Sequence, residues 1–477
     1  MRGKFIQKKA QWYWHCGQNG AKMGVSEAPW GVFVFVCKHE PPCGQKTKNK
    51  NQKGEINVKK IISIVLALLM VAVMLPVMAM AAEVEVSDET SLKAAVAAGG
   101  NIKLTSDIDL NGSMVIEIDG KLTIDLNGHS IKNSNGAAII LKKGDLVVSG
   151  TGSIEDANNN NAGICVKGSN DPAASKHSVL TVNNGVTLKG IYGFFVTPYQ
   201  SEVQKVAYGV EINFYGKIDS IGGAYINGQI GHTDNCPIIN IGNGAIINGS
   251  SVGSYAAGYG IWNINGATIT GDTGFYIKSG IVNITGSTIK GTGEKVDPVP
   301  NGNGANSTGD AIIMDSKNGY AGNMILNLGA GNTITSTNGH ALQVANTDAA
   351  GTHVTALNIT GGNLTGNPDA VKLSQQFKDA VANENINASA SITGGTFSGN
   401  TNDLKPYIPS NMEITASGNV VNKSITIIVP SEGGSTTTTP STDNTKNPGT
   451  GANDFVGVAA AMAVVSLLGA AAVIRKK

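Results

Sequence analysis

The segment from Trp262 to Gly293, WNINGATITGDTGFYIKSGIVNITGSTIKGTG, states almost the same pattern twice. The run NINGATITG begins at Asn263, and the run NITGSTIKG begins 20 positions later at Asn283. Each run alternates Ile with Asn or Thr, which is the period of a β-strand with one buried face. The glycines between the runs allow positive φ at turns with little strain. The segment therefore predicts short strands that return after every turn of the chain.

Similar runs occur over most of the chain. They begin at Leu122, Leu146, Leu180, Asn240, Asn358 and Ile392. One such unit is too small to bury its own apolar side, but stacked units share a continuous core. We therefore predict an all-β fold between Ile102 and Val429, a right-handed parallel β-helix: a solenoid of about ten coils with about three strands each. Third strands are predicted at 137–141, 163–166 and 275–277, and a helical insertion at 374–382.

A short segment before the first repeats has the pattern of a capping helix. We predict a helix over 88–98, with Ser87 or Asp88 as its N-cap and Gly99 as its end. With this helix, the chain over about residues 83–429 resembles the pectate-lyase-like superfamily of parallel β-helices. The resemblance implies that the helix protects the open first coil.

Segment 58–81 has the order of a signal peptide: two lysines, an apolar run and then small residues. Ala79 and Ala81 satisfy the small-x-small rule, so we predict cleavage after Ala81, with cleavage after Ala82 as the alternative. The other interpretation is an uncleaved membrane anchor. A processing signature at the end of the run favours cleavage, because an anchor would end in a charged stop.

Residues 1–57 precede this signal and contain no repeat. The Lys-Gly-Glu at 53–55 can be encoded by a purine-rich bacterial ribosome-binding sequence, which would lie just before the codon for Val58. We therefore predict that Val58 is the true start and that 1–57 is a mistranslated leader. The alternative is a small zinc site, although its spacing matches no usual ligand pair. Its ligands would be Cys16, Cys37, His39 and Cys43.

The far end of the chain has three parts. A pentapeptide of Asn447, Pro448, Gly449, Thr450 and Gly451 is followed by an apolar span over 455–474 and a basic tail over 475–477. The span is long enough to cross a bilayer, and basic residues favour the inner side. This order resembles the sorting signal of sortase-anchored Gram-positive surface proteins, whose usual motif is Leu-Pro-x-Thr-Gly.

The resemblance implies cleavage between Thr450 and Gly451, with sortase and peptidoglycan as partners. Asn447 replaces the usual Leu, which leaves the sortase class open, and a plain tail anchor is the alternative. The two hydrophobic terminal segments imply transient membrane insertion and a location on the cell wall or surface. The β-helix domain, 82–429, would be joined to the anchor by a Ser/Thr/Gly/Pro-rich spacer over 430–446.

The exported part of this chain would be acidic. From Ala82 to Thr450 there are 20 lysines, no arginine and 30 acidic residues, a net charge of about −10. This charge argues against nucleic acid as a partner. Only Cys165 and Cys236 remain in this part, and a separation of about three coils puts them beyond disulfide reach. We predict two buried thiols.

Enzymes of the pectate-lyase-like fold include lyases and galacturonan hydrolases. Lyases of this fold commonly use an arginine base beside calcium-binding aspartates, and 82–450 contains no arginine. Asn346-Thr347-Asp348 and Gly339-His340 echo two hydrolase motifs, but in reversed order. Since no adjacent coils align three acidic residues for water activation, we predict no catalytic and no cofactor-binding residues.

Two related runs predict one weak metal site. DIDLNG at 107–112 and TIDLNG at 123–128 would stack Asp109 over Asp125, and two carboxylates about 5 Å apart could share a calcium ion. The commoner interpretation is aspartates at solvated turns beside a ladder of asparagines. The histidines are scattered and suggest no metal site: His129, His177, His232, His340 and His353.

Together these features predict a non-enzymatic, wall-anchored surface protein, an adhesin or rod that binds a host or microbial glycan or protein. One alternative is a wall-bound polysaccharide lyase or glycosidase. The other is a purely structural surface rod. Aromatic residues make up 5% of the chain, so few side chains are available to stack on sugar rings.

Overall fold

A computed structural model describes 14–15, 22–27, 33–38, 83–198, 207–227, 234–299, 302, 304–316, 322–347, 353–383 and 387–424. The chain divides into two compact units, Met1–Met80 and Ala81–Lys477. In the first unit, β1 (Trp14–His15), β2 (Lys22–Glu27) and β3 (Phe33–Lys38) form an antiparallel sheet. The predicted signal peptide, the spacer and the sorting signal lie outside the described residues.

The second unit is built on a 29-stranded sheet in which the chain pairs in parallel with itself one turn later. Stack A contains β4 (Val84–Val86), β5 (Gly100–Leu104), the second halves of β7 (Met114–Asp125) and β9 (Ile139–Ser149), β12 (Ser178–Val182), β15 (Val210–Phe214), β18 (Ile238–Ile241), β21 (Ile261–Asn265), β24 (Gly280–Thr285), β27 (Met324–Leu328), and the first halves of β30 (Thr355–Thr365) and β32 (Ala388–Phe397).

Two further stacks complete each turn. Stack B contains β6 (Ile108–Leu110), β8 (Ser130–Asn133), β10 (Gly152–Asp156), β13 (Val186–Gly190), β16 (Lys217–Ser220), β19 (Ile246–Gly249), β22 (Thr268–Gly271), β25 (Thr288–Gly291), β28 (Thr333–Ser336), and the second halves of β30 and β32. Stack C contains the first halves of β7 and β9, β11 (Ala162–Lys167), β14 (Tyr192–Thr197), β17 (Ala224–Ile226), β20 (Val252–Ala256), β23 (Thr273–Ile277), β26 (Ile312–Asp315), β29 (Leu342–Asn346) and β31 (Val371–Leu373).

These pairings confirm an all-β chain with a long parallel sheet built from repeats. Asn263 and Asn283, 20 residues apart, are direct partners in stack A, and the third strands predicted at 137–141, 163–166 and 275–277 lie in stack C. Successive side chains of a strand point to opposite faces, so every second residue enters the interior. The largest buried side chains include Trp262, Phe194, Phe214 and Phe275.

Both predicted helices are confirmed. Helix α1 (Glu89–Ala98) begins after Asp88, whose carboxylate accepts a 2.8 Å bond from the Ser91 N–H, and ends at Gly99. Its buried face packs on the first coil of the core, because an open solenoid end would otherwise expose apolar side chains. Helix α2 (Gln375–Ala382) begins after Ser374 and buries Phe377.

The C-terminal end is covered differently. A 3₁₀ helix (Asn402–Tyr407) and an antiparallel hairpin of β33 (Met412–Ile414) and β34 (Val420–Asn422) follow the last parallel strand. Leu404 of the 3₁₀ helix joins the main core. In the part of the chain that the structure describes, no helix has the length and apolarity needed to cross a bilayer.

Close stacking of coils leaves no room for a side chain at Gly223. Gly223 has a φ of 61°, and a Cβ there would stand 1.6 Å from the carbonyl oxygen of Gly253 on the next coil. We expect Gly223→Ala to lower the free energy of unfolding by about 2–4 kcal/mol, from backbone strain and overpacking together. Gly112→Ala is the control, because nothing lies within 4 Å of its Cβ position. Urea unfolding measures both; equal losses would contradict the stacking geometry.

Candidate functional site

The structure does not bring together the two aspartates of the predicted calcium site. In stack B, Asp109 pairs with Lys132, whereas Asp125 lies in stack A beside Lys103 and Ser149. The prediction that Asp109 stacks on Asp125 is therefore wrong. DIDLNG and TIDLNG look alike in sequence, but the first forms a strand of stack B and the second the end of a strand in stack A.

Other predicted sites fall on residues that the structure does not describe. These are the sorting pentapeptide (Asn447, Pro448, Gly449, Thr450 and Gly451), the signal cleavage residues (Ala79, Ala81 and Ala82) and the side chains of the alternative zinc ligands. Cys165 and Cys236 are both buried free thiols, as predicted. Burial raises the pKa of each to about 11, so both are protonated at neutral pH.

The most regular outward feature is a row of asparagines on stack A, called here the amide ladder. Its members are Asn213, Asn240, Asn263, Asn283, Asn327 and Asn358. From Asn240 onward, each side-chain N–H₂ donates to the side-chain oxygen of the preceding Asn, over 2.7 to 2.9 Å. All six are half-buried. They occupy the outward positions between buried neighbours, so the row faces away from the core.

The amide ladder has a direction. Its first member, Asn213, donates at 2.8 Å to the Glu211 carboxylate, so every bond in the row runs toward a negative charge. Aligned hydrogen bonds polarise one another, and a charged acceptor strengthens the bond that it receives, here the bond from Asn213 to Glu211. A primary amide has two N–H donors and two oxygen lone pairs. The bonds of the row use one donor of each Asn and one lone pair of each except Asn358, so at least one donor and one lone pair per Asn lie outside the ladder.

An apolar row runs beside the middle of the amide ladder, two residues earlier on four of its six strands. It consists of Ile238, Ile261, Ile281 and Ile325. Ile238 is 38% exposed, and the other three are half-buried. The outer side of stack A is therefore a strip that pairs an apolar row with an amide row, both repeating once per coil at about 4.8 Å.

Aromatic side chains gather on the outer side of stack C. This aromatic column consists of Phe195, Tyr225, Tyr255 and Tyr276, one from each successive coil. The first three rings stack face to face, with centroids 4.9 and 5.1 Å apart and planes within 7°. Because these rings cover one another's faces, their column is a packing element and does not offer a row of open faces for sugar rings.

A buried polar cluster adjoins the end of this column. It consists of Tyr276 in β23, Lys278 directly after β23, Asp315 in β26 and Asn346 in β29, on three successive coils of stack C. The Lys278 ammonium lies 2.9 Å from Asp315 Oδ2, and both side chains are completely buried. The Tyr276 hydroxyl donates to the same oxygen, and the Asn346 amide donates to Asp315 Oδ1. One carboxylate thus receives donors on both oxygens.

A second ion pair lies nearby in the sequence but remains open to solvent. Lys295 contacts both oxygens of buried Asp310, at 2.9 and 3.1 Å, and donates to Gln343 at 2.7 Å. The Lys295 side chain is 25% exposed. The backbone N–H of His340 also donates to the Asp310 carboxylate. Burial lowers the pKa of the His340 ring, and nearby Lys295 adds to this effect.

Neither lysine–aspartate pair has the arrangement that glycoside hydrolysis uses. That reaction needs two carboxylates in one groove, whereas Asp310 and Asp315 each pair with a lysine. Within the described ranges, no group of three or more His, Cys, Asp or Glu could hold a metal ion. Nothing in the sequence analysis anticipates either lysine–aspartate pair. Aligning DTGFYIKS with AIIMDS as successive third strands would have placed Lys278 beside Asp315.

Comparisons with protein-family models, with curated proteins and with solved structures find no match for this chain. Its function is therefore inferred from its own residues.

Proposed function

We propose that this chain is an exported, wall-anchored surface protein of a Gram-positive bacterium that binds an extended glycan or protein chain along stack A. The observation that carries the binding proposal is the amide ladder with its flanking isoleucine row. In the same proposal the solenoid is right-handed, with about ten coils, and acts as a rod without catalytic activity. Export and anchoring rest on the signal-like segment 58–81 and the sorting-like segment 447–477.

The strip on stack A suits an extended polymer because donor, acceptor and apolar surface recur together on the four coils from Ile238 to Ile325. A ligand with its own short repeat would meet equivalent groups along the rod, and many weak bonds would add up. Attachment of many copies to one wall would raise the apparent affinity further, since neighbouring rods engage one surface together. An acidic chain, with about −10 net charge over 82–450, favours a neutral or basic ligand.

The test is binding of the purified full chain to arrays of glycans and matrix proteins. We expect the double substitution Asn263→Thr with Asn283→Thr to weaken binding by about tenfold or more, because two amides with net bonds of about 1 kcal/mol each are removed. The matched control is Thr268→Val with Thr288→Val, which changes the same coils on stack B.

Circular dichroism must show that both double variants keep the β-structure of the parent. Binding lost in the stack A variant and retained in the stack B variant supports the proposal. Equal binding by both variants to every ligand that the parent chain recognises would overturn the assignment of this face.

One observation favours an enzyme as the second candidate. Lys295 is partly exposed beside buried Asp310. The pectate-lyase-like superfamily, which the chain resembles, includes lyases that use a basic side chain. The same purified chain is assayed for new reducing ends and unsaturated uronates on polysaccharides. Turnover that Lys295→Met abolishes would favour a lyase over a binding rod.

A further inference from the structure

The buried polar cluster holds a reactive pair in contact. Lys278 and Asp315 lie on adjacent coils of stack C, with Nζ 2.9 Å from Oδ2 and both side chains without solvent exposure. The Lys278 ammonium also lies 4.8 Å from the centre of the Tyr276 ring. Two opposite charges removed from water lose hydration that their attraction repays only in part. A neutral product of the two groups would avoid that loss.

We propose that Lys278 and Asp315 form an intramolecular isopeptide bond after folding. The amide would join Nζ of Lys278 to Cγ of Asp315 and tie two coils of the solenoid together covalently. The reaction needs no cofactor or oxidant, because an ammonium and a carboxylate give an amide and one molecule of water. The residues that contact the pair provide the groups that each step of the reaction needs.

First, the ammonium proton moves to the carboxylate along the contact between Nζ and Oδ2, which leaves an amine and a carboxylic acid. The amine then attacks Cγ, and the electron pair of the carbonyl moves to Oδ1. Asn346 donates its N–H to Oδ1, so it is placed to stabilise the negative charge that develops there.

The tetrahedral carbon then expels Oδ2. Tyr276 donates its hydroxyl proton toward Oδ2, which allows that oxygen to leave as water while the proton lost by Nζ returns to the phenol. The bond between Cγ and Oδ2 breaks and the bond between Cγ and Nζ remains. Tyr276 is therefore a general acid for the leaving oxygen, and its removal should slow the reaction.

The second pair in the chain provides an internal comparison. Lys295 and Asp310 are also in contact at 2.9 Å, but the lysine side chain is 25% exposed and also binds Gln343. Water stabilises this ammonium and competes in the reverse reaction. The proposal therefore assigns a bond to Lys278 and none to Lys295.

The test is the mass of the purified full chain under denaturing conditions. We expect a mass lower by one water than the processed sequence requires, and a tryptic digest in which cleavage after Lys278 is blocked. A branched peptide should join the segment that contains Lys278 to the one that contains Asp315. Lys278→Arg should restore the full mass, Lys295→Arg should keep the deficit, and Tyr276→Phe should slow its appearance after refolding.

Wild-type chain of full mass, with normal cleavage after Lys278, would overturn the proposal without reference to any variant. Loss of ammonia instead of water would also contradict it, because that product would join Lys278 to Asn346. A deficit that Lys278→Arg does not remove would place the modification elsewhere in the chain.

Discussion

Replacing Trp262 with Ala is expected to lower the free energy of unfolding by about 3–5 kcal/mol. The side chain is fully buried in stack A and meets the Phe275 ring edge-on, with centroids 5.2 Å apart and planes at 67°. Its neighbours on adjacent coils are Ile239 and Val282. An alanine would leave a cavity that strands held on both sides by neighbouring coils cannot close.

The substitution Trp262→Phe separates two contributions of Trp262 to the free energy of unfolding: the packing of its ring and the cost of its buried N–H. The indole Nε1 is buried without a hydrogen-bond partner among the described residues, and such a group costs about 1–3 kcal/mol. Phenylalanine removes that N–H, which offsets part of the lost volume, so we expect a loss below about 1.5 kcal/mol. Circular dichroism in urea is the measurement, because Trp262 is the only Trp from Ala82 to Thr450. Equal losses for both variants would contradict the packing account.

Thr450→Ala is expected to move nearly all of the protein from the cell-wall fraction to the membrane fraction. In the sortase-anchored proteins that this segment resembles, the enzyme cuts after the threonine and joins its carboxyl group to peptidoglycan. Without that cut, the apolar span over 455–474 would stay in the bilayer, because its basic tail holds it inside. The measurement is the distribution of the chain between walls and membranes in a sortase-bearing host.

Thr445→Ala is the matched control, since it changes the same residue type five positions earlier. It should leave wall attachment intact. Wall attachment that survives Thr450→Ala would contradict the sorting interpretation, whereas loss in both variants would indicate a general export defect.

The repeat was the part of the fold most readable from the sequence. Asn263 and Asn283 are 20 residues apart in the sequence and are direct partners on adjacent coils. The spacing of the repeat in the sequence therefore predicted which strands pair. The same holds for helix α1, whose cap at Asp88 and end at Gly99 follow from local chemistry.

The predicted stacking of Asp109 on Asp125 failed because the two aspartates belong to different stacks. A short motif marks a strand, but it does not say which of the three stacks that strand joins. Asp109 and Asp125 share a motif yet lie in different stacks. Lys278 and Asp315, by contrast, share no motif and are separated by an insertion in the chain, so only the register of stack C brought them together.

Outward positions were the hardest to interpret from sequence. Asn263 and Tyr276 both point away from the core, and alternation alone does not tell an exposed row from one covered by other residues. The amide ladder remains half-buried and accessible, whereas the Lys278 side chain, directly after β23, has no exposure. On stack C, Ala305 from the insertion before β26 packs against the buried cluster that contains Tyr276.

The central claim, an exported rod fixed to the wall at its C-terminal end, is tested most directly by mapping the ends of the protein released from purified walls. After digestion of the walls with a peptidoglycan hydrolase, we expect a chain that begins at Ala82, or at Glu83 if cleavage follows Ala82. Its last residue should be Thr450 carrying a peptidoglycan fragment. A wall-associated chain that retains residues before Val58, or that ends at Lys477, would contradict the account.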